Sequence, residues 1–529
     1  MLITPDSTIK VYSNIPLDNT YEHSLYFESI SAQNSYFHSS GHVKYSFQSN
    51  TYQRVNRNRL RVNVSVGNLY NCNYLAFQNS GFGNKWFYAF ITAVEYVNNV
   101  TSEIEFEIDV MQTYLFDITR KECFVEREHT YGDAIGDYLE PEPISVGEYV
   151  YEDFDTVKGV SDICVCILTS DSGVNVTKID SVLCGGRLKI FRTDDISSIN
   201  SYLENYLDDP SAVIAMYMCP TFLFNLKLEI ADGGQYISTN FSSNGYSQQS
   251  LPKFGKKFGD YMPRNNKVYT YPYNFMKIDN YSGQSLNLRY EFFDDLIPKV
   301  NIEGTVNMPV QLVLRPTKYK GLTGTVPSSS ESLTLDCYPQ CSWNVDSYNA
   351  WVAQNAVPIA INTGATILST GGSIAGGLAT GVAGAKLASG AFSTGVGAVA
   401  NILTQQYQAS IRADECRGNI NSGNVNVANH TQNFYRMRAR VNDSNIRVID
   451  DFFTRYGYAV NRVKQPTFNN RRHYTYVKTV GACCTGACPA DDIRKFCSIL
   501  DNGITMWRNA NEVGNYDVDN TAYSYTIGE

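Results

Sequence analysis

Cysteine and histidine are the side chains most suited to metal or nucleophilic chemistry, and this sequence sets neither in a working pattern. Cys483, Cys484 and Cys488 fall in one short run, with Cys497 close behind. That spacing lacks the second Cys-x-x-Cys pair, or the paired histidines, that would complete a tetrahedral zinc site. Free or locally oxidised thiols are the expectation. His23, His38, His42, His129, His430 and His473 form no HExxH, and neither GxSxG nor a P-loop occurs. His38 and His42 have i, i+4 spacing, but their Ser- and Gly-rich surroundings read as loop. Glycoside cleavage needs two carboxylates flanking the sugar; acidic residues are plentiful, yet nothing singles out a pair. The sequence therefore predicts no enzyme, no cofactor and no metal.

Two charge patterns stand out instead. Glu103, Glu105, Glu107 and Asp109 alternate with Ile104, Phe106, Ile108 and Val110, the signature of a strand with one acidic and one apolar face. Such a face can line a channel and repel passing phosphate, or it can pair across the sheet with Arg57, Arg59 and Arg61. The second pattern is basic: Arg436, Arg438, Arg440, Arg447, Arg455, Arg462, Lys464, Arg471 and Arg472. It reads as a solvated or subunit-facing surface, with a phosphate-contacting rim as the alternative. The net charge of −9 argues against a general nucleic-acid binder, whose affinity comes from neutralising phosphate.

These patterns must sit on a mostly β scaffold. Tyr is frequent at 38 residues and favours strands. Leu60, Val62, Val64 and Val66 alternate with Arg59, Arg61, Asn63 and Ser65, Lys85 to Tyr96 forms a second strand, and Val97 to Val100 supplies a turn. The acidic stretch from Asp133 to Asp155, broken by Pro141 and Pro143, reads as an exposed connection. Beyond it, Ile163 to Leu168 has the pattern of a buried strand, and Ile196–Leu207 that of a helix. Lys267 to Phe293 reads as a hairpin turning at Tyr281-Ser282-Gly283, and Val306 to Leu314 as another strand. The predicted fold is mainly β, a β-rich α+β chain. Its expected parts are an N-terminal β domain (1–132), an inserted mixed α/β domain (133–260), a second β domain (261–345), a long Gly/Ala-rich apolar loop (346–411) and a C-terminal part (412–529) that completes the β structure.

The apolar loop is the most unusual feature. Between Asp346 and Arg412 the only charged residue is Lys386. Ile359 to Ala385 and Leu387 to Ile411 each exceed the roughly 20 residues that a helical bilayer crossing needs. The larger apolar side chains are Ile359, Ile361, Ile367, Leu368, Ile374, Leu378, Val382, Leu387, Phe392, Val396, Val399, Ile402 and Leu403, and small residues such as Gly372 and Gly376 recur at four-residue spacing. Glycine and serine add little transfer energy, so insertion of one copy is marginal. The competing reading is a Gly/Ala-rich helical pair in a soluble core, where each glycine costs about 1 kcal/mol relative to alanine. Met1 to Asp6 carries no signal-peptide pattern, which argues against a secreted pore-forming toxin.

Several strings are similar to those of a known family. Phe77-Gln78-Asn79, Gly83-Asn84-Lys85-Trp86-Phe87-Tyr88-Ala89-Phe90 and Phe106 to Thr113 resemble the N-terminal part of tail-knob proteins from small short-tailed bacteriophages of Gram-positive hosts. Tyr271-Pro272-Tyr273, Arg455 to Tyr458, Asn461 to Lys464 and Asp501 to Trp507 resemble later parts, in the same order. The resemblance implies tail-tube and baseplate-hub-like β domains forming a ring, a homo-hexamer at the tail tip that meets other phage tail proteins. Double-stranded DNA would then pass through the lumen without sticking, and the acidic face of Glu103, Glu105, Glu107 and Asp109 is, by its charge, the expected lining. The apolar loops would penetrate the host membrane. A receptor-binding or cell-wall-degrading tail protein is the alternative.

Overall fold

The computed structural model describes residues 7–342 and 433–522, apart from 51–57, 158–159, 161, 171–177, 180–181, 184–185, 207–211, 225–229, 238–239, 242–246, 252–254, 281–282, 296, 322–330, 336–337 and 339. Strands dominate, as the alternating patterns predict. The chain divides into two compact units, each built from separated stretches.

The first unit comprises Met1–Gly147, Lys257–Val268 and Asp443–Glu529. One of its sheets runs in the order Val43–Asn50, Ser7–Ser13, Cys72–Asn79, Phe87–Asn98, Thr101–Ile108, Arg59–Val62, with every neighbour antiparallel. Period-two alternation gives this sheet two apolar faces. Val11, Leu75, Ala89, Ile104 and Phe106 pack on one side, while Tyr12, Tyr74, Tyr88 and Phe90 enter a second, aromatic core. The predicted reversal after Val97 is present, between Asn98 and Thr101. The strand expected from Leu60 to Val66 stops at Val62, and Val66–Leu69 is a helical turn. The carbonyl of Val64 takes the Ser102 hydroxyl at 2.7 Å, a side-chain bond that competes with strand pairing.

The aromatic core is closed by a sheet ordered His23–Leu25, Ile504–Trp507, Tyr474–Val480, Cys123–Glu128, Tyr458–Lys464, in which only the first pair is parallel. Two amphipathic helices belong to the same unit. Asp443–Tyr456 buries Ile446, Ile449, Asp450, Phe453 and Thr454, the stripe that a 3.6-residue period requires. Ala490–Asn502 buries Phe496, Ile499 and Leu500 and ends at Gly503. Gly457 follows the first helix at φ 64°, and a Cβ there would lie 2.1 Å from the carbonyl oxygen of Glu128. Only glycine fits that position.

The second unit comprises Glu148–Lys256 and Tyr269–Asn442. Ile163–Thr169 is central and almost wholly buried, as its unbroken apolar run predicts, between Arg187–Arg192 and Val213–Pro220. The expected helix forms over Ile196–Glu204, with the Asp195 carboxylate accepting the Ser198 N–H at its start. The hairpin Asn274–Asp279 with Ser285–Leu288 is also present. The strand expected over Val306–Leu314 begins later, at Leu312, and runs to Thr317. Thr305 accounts for the shift: its hydroxyl donates to the Pro309 carbonyl and accepts the Gln311 N–H, closing a loop before the strand.

The acidic stretch is largely exposed, as its composition predicts, with Asp137, Glu140, Glu148, Asp153 and Asp155 facing solvent, and the chain passes from the first unit to the second within it. Some of its carboxylates are nevertheless drawn inward. The side chain of Glu142 is 1% exposed and is paired with those of Arg127 and Lys267, both themselves buried. It also accepts the Ala459 N–H at 2.9 Å. Asp133 accepts the Tyr458 hydroxyl, and Tyr149–Thr156 is a strand paired with Tyr435–Val441. Partners far along the chain neutralise these carboxylates, so local charge count misjudges their exposure. His129 is buried nearby in a single tautomer: Nδ1 accepts the Tyr476 N–H at 2.8 Å, so Nε2 donates to the Thr454 carbonyl at 3.1 Å. Burial, helped by the Arg471 cation, lowers its pKa to about 3.

Two expectations follow. Glu142→Ala leaves two buried cations short of their counter-charge and should destabilise the first unit by about 3–5 kcal/mol, read from chemical unfolding. His129 stays neutral when folded but protonates below pH 6.5 when unfolded, so acid destabilises the fold from pH 6.5 down towards 3. The stability gap between wild type and His129→Gln should shrink by about 2–3 kcal/mol between pH 6.5 and 4.5; parallel curves would show that His129 does not control this dependence.

Candidate channel-lining face

The acidic strand spans Thr101–Ile108 and lies between Phe87–Asn98 and Arg59–Val62. Its register places Arg59 opposite Glu105 and Arg61 opposite Glu103. Arg59 reaches Glu95 at 3.1 Å, Glu103 at 3.2 Å and Glu105 at 3.3 Å, while Arg61 meets Glu103 at 2.7 Å. Glu103 is thus bridged by two guanidinium groups, and its side chain is only 14% exposed. The hydrogen bond from Arg61, seconded by Arg59, holds its carboxyl below the usual range. Cross-strand pairing, the alternative set against the channel reading, is therefore present for Arg59 and Arg61; Arg57 lies outside the described residues.

Glu107 stands apart from this cluster. It pairs with Lys495, on the helix Ala490–Asn502, and accepts Asn19 Nδ2 at 3.3 Å. Partial burial pushes its pKa up, but Lys495 and Asn19 outweigh that and leave it below the usual range. No local signal links Lys495 to Glu107, because the pairing requires the folded unit.

Asp109 corrects the expectation. It does not continue the acidic face: the strand ends at Ile108, and Asp109 is 1% exposed as the N-cap of the helix Val110–Tyr114. Its carboxylate accepts the Gln112 N–H at 3.1 Å and the Tyr74 hydroxyl at 2.8 Å. Burial raises its pKa to about 6 despite those bonds. Asp109 with Gln112 three positions on fits a helix-start pattern. That signal was present in the sequence, masked by an alternation that runs on through Val110.

The basic run is divided: Arg447, Arg455, Arg462 and Arg472 are exposed, as a solvated surface requires, while the others are drawn partly or wholly inward. Arg438 and Arg440 are buried and share Glu152, at 2.8 and 2.7 Å. Arg436 pairs with Asp155, Lys464 with Glu128, and Arg471 is buried. Cys483, Cys484, Cys488 and Cys497 are free thiols, and among the described residues no cluster of metal-binding side chains occurs. Every apolar residue expected to enter a membrane, from Ile359 to Leu403, lies outside the described residues. Among the described residues no helix is long and apolar enough to cross a membrane.

Residues 5–120 match the profile of the caudoviral major tail protein N-terminus, which places the molecule among phage tail proteins. Residues 238–521 match the profile described as Bacillus phage phi29, tail knob protein gp9, C-terminal domain. The chain belongs to the family of that tail knob protein. It is 26% identical over 594 aligned positions to tail knob protein gp9 of Bacillus phage PZA, covering 97% of this chain and 98% of that protein. With gp9 of Bacillus phage phi29 the identity is also 26%, with the same coverage. The solved structure of the bacteriophage C1 tail knob protein gp12 shares the fold, with a TM-score of 0.62 at 14% identity over 98% of this chain and 100% of that one. These relatives are named for a structural part of the tail and not for a catalytic activity.

The buried cap offers a direct check on the corrected role of Asp109. Asp109→Ala should lower stability by about 1–3 kcal/mol, combining a lost cap with an unpaired Tyr74 hydroxyl. Asp109→Asn keeps an acceptor and should lose less. Equal losses, measured by urea unfolding, would mean that charge and not capping matters there.

Proposed function

We propose that this chain forms the distal tube of a short phage tail, a homo-hexameric ring that conducts DNA and opens the host cytoplasmic membrane with the segment 346–411. One observation carries the membrane half of this reading. A chain that is 18% charged contains a single charged residue, Lys386, between Asp346 and Arg412. Both arms of that segment are long enough to span about 30 Å of hydrocarbon as helices. Six weak segments can succeed where one is marginal, because small residues let neighbouring helices pack closely.

The conducting half is supported by family membership and by the charge balance of the sheet. Glu103, Glu105 and Glu107 form the part of the wall that DNA passes, their charge largely cancelled by Arg59, Arg61 and Lys495. A wall of paired charges gives phosphate little to bind, which suits a duplex that must keep moving. Other tail proteins would seat the ring in the virion, and the thiols would stay reduced during assembly in the host cytoplasm.

The test uses purified full-length protein and a variant with residues 356–404 replaced by a short Gly/Ser linker. Negative-stain images of both should show six-fold rings with a central hole. Only the full-length protein should release dye from liposomes. Gly376→Asp with Ala383→Asp should also abolish release, since a charge at mid-membrane costs roughly 2.5–3.5 kcal/mol in each subunit. A linker variant that unfolds would make the segment part of the core, and rings that leak without it would move the activity elsewhere.

A further inference from the structure

The second unit holds a cavity of about 420 Å³, within the range of small-molecule sites. It lies where Tyr290–Phe292 follows the hairpin and is tied to the chain beyond Leu312–Thr317. The Lys320 N–H donates to the Phe292 carbonyl at 2.9 Å, and the Asp294 N–H to the Lys318 carbonyl at 3.0 Å. Tyr271, Asn287, Arg289, Phe292, Lys320 and Glu331 are among its lining residues.

Arg289 gives this cavity its chemistry. Its guanidinium carbon lies 4.1 Å from the centre of the Tyr271 ring and 5.2 Å from that of Phe292. Its backbone N–H donates to the Tyr319 hydroxyl at 3.0 Å, so both ends of the residue are held. Among the described residues the guanidinium has no hydrogen bond and no ion pair. Ring contacts engage a guanidinium through its face, which leaves the N–H donors along its edge. Asn287, on the strand Ser285–Leu288 that ends just before Arg289, lines the same cavity, and its amide also has no partner among the described residues.

The remaining charges do not compete strongly for Arg289. Lys320 and Glu331 neutralise each other as an ion pair. Glu291 accepts the Tyr271 N–H at 3.1 Å, and burial raises its pKa, although Arg289 acts against that shift. The cavity therefore presents one preorganised cation edge and one amide.

We propose that this cavity binds a phosphate-type oxyanion carried on a small polyol or sugar, with Arg289 donating to two oxygens and Asn287 to a third. Donors from two residues suit a tetrahedral group better than a flat carboxylate. The rest of the volume, edged by the exposed Tyr271, accommodates the carrier.

Isothermal titration of the full-length protein at constant ionic strength tests this, with glycerol 1-phosphate, inorganic phosphate and acetate as probes. Glycerol 1-phosphate should bind saturably at one site per chain. Binding should weaken about tenfold or more in Arg289→Gln and less in Arg289→Lys, because lysine keeps the charge without the fork. Equal binding of inorganic phosphate would support the oxyanion site and assign the source to free phosphate. Should Arg289→Gln fail to fold, Asn287→Leu leaves the ring contacts intact and must still weaken binding. The proposal is overturned if acetate binds as well as the phosphates, if nothing binds saturably, or if a folded Arg289→Gln or Asn287→Leu binds like wild type.

Discussion

Two buried carboxylates hold the first unit together. Its three chain segments are far apart in sequence, and apolar packing alone does not specify which segment meets which. Glu142, from the first segment, is met by Lys267 from the second and by the Ala459 N–H from the third. Asp450, from the third, accepts the Tyr261 hydroxyl at 2.7 Å and the backbone N–H groups of Arg264 and Asn265, all from the second. A carboxylate removed from water is tolerated only when its lone pairs are filled. Each segment is therefore unable to bury its charge without the others, and the pairing becomes specific as well as stable.

The same physics explains what the sequence could and could not convey. Period-two alternation marked Thr101–Ile108 and the strand before it, and the continuous apolar run marked Ile163–Thr169, because both signals are local. The exposure of a charge is not local. Glu142 and Asp133 read as solvent-facing because their neighbours in sequence are acidic, and the residues that neutralise Glu142 are supplied by the tertiary fold. Arg438 and Arg440 are the mirror image, basic in their local sequence yet buried, since the Glu152 that they share lies nearly three hundred positions before them. Within the candidate site, the cross-strand partners Arg59 and Arg61 were legible and Lys495 was not.

Asp109 shows how one pattern can conceal another. Four acidic residues at alternate positions look like one face of a strand, yet three are paired at or near the surface and the fourth is a buried helix cap. The change of role comes from the turn into Val110–Tyr114, where the chain leaves the sheet and a carboxylate is more valuable to unsatisfied N–H groups than to solvent. Elsewhere too, buried ionisable groups join strands and segments, as Glu152 does with Arg438 and Arg440 and Glu142 with Arg127 and Lys267.

The sheet that closes the aromatic core also sets the order in which the molecule can be completed. Ile504–Trp507 lies between His23–Leu25 and Tyr474–Val480, and Cys123–Glu128 lies between Tyr474–Val480 and Tyr458–Lys464. During synthesis, the early strands therefore wait until nearly the whole chain has left the ribosome before their neighbours exist. Contacts of such long range make folding slow and late. A chain broken off before Ile504 lacks an internal strand and the tryptophan beside Tyr474, so it cannot close this core. A prematurely ended chain is thus left with its aromatic core open, and the last strand to be made serves as the closing stave of the sheet.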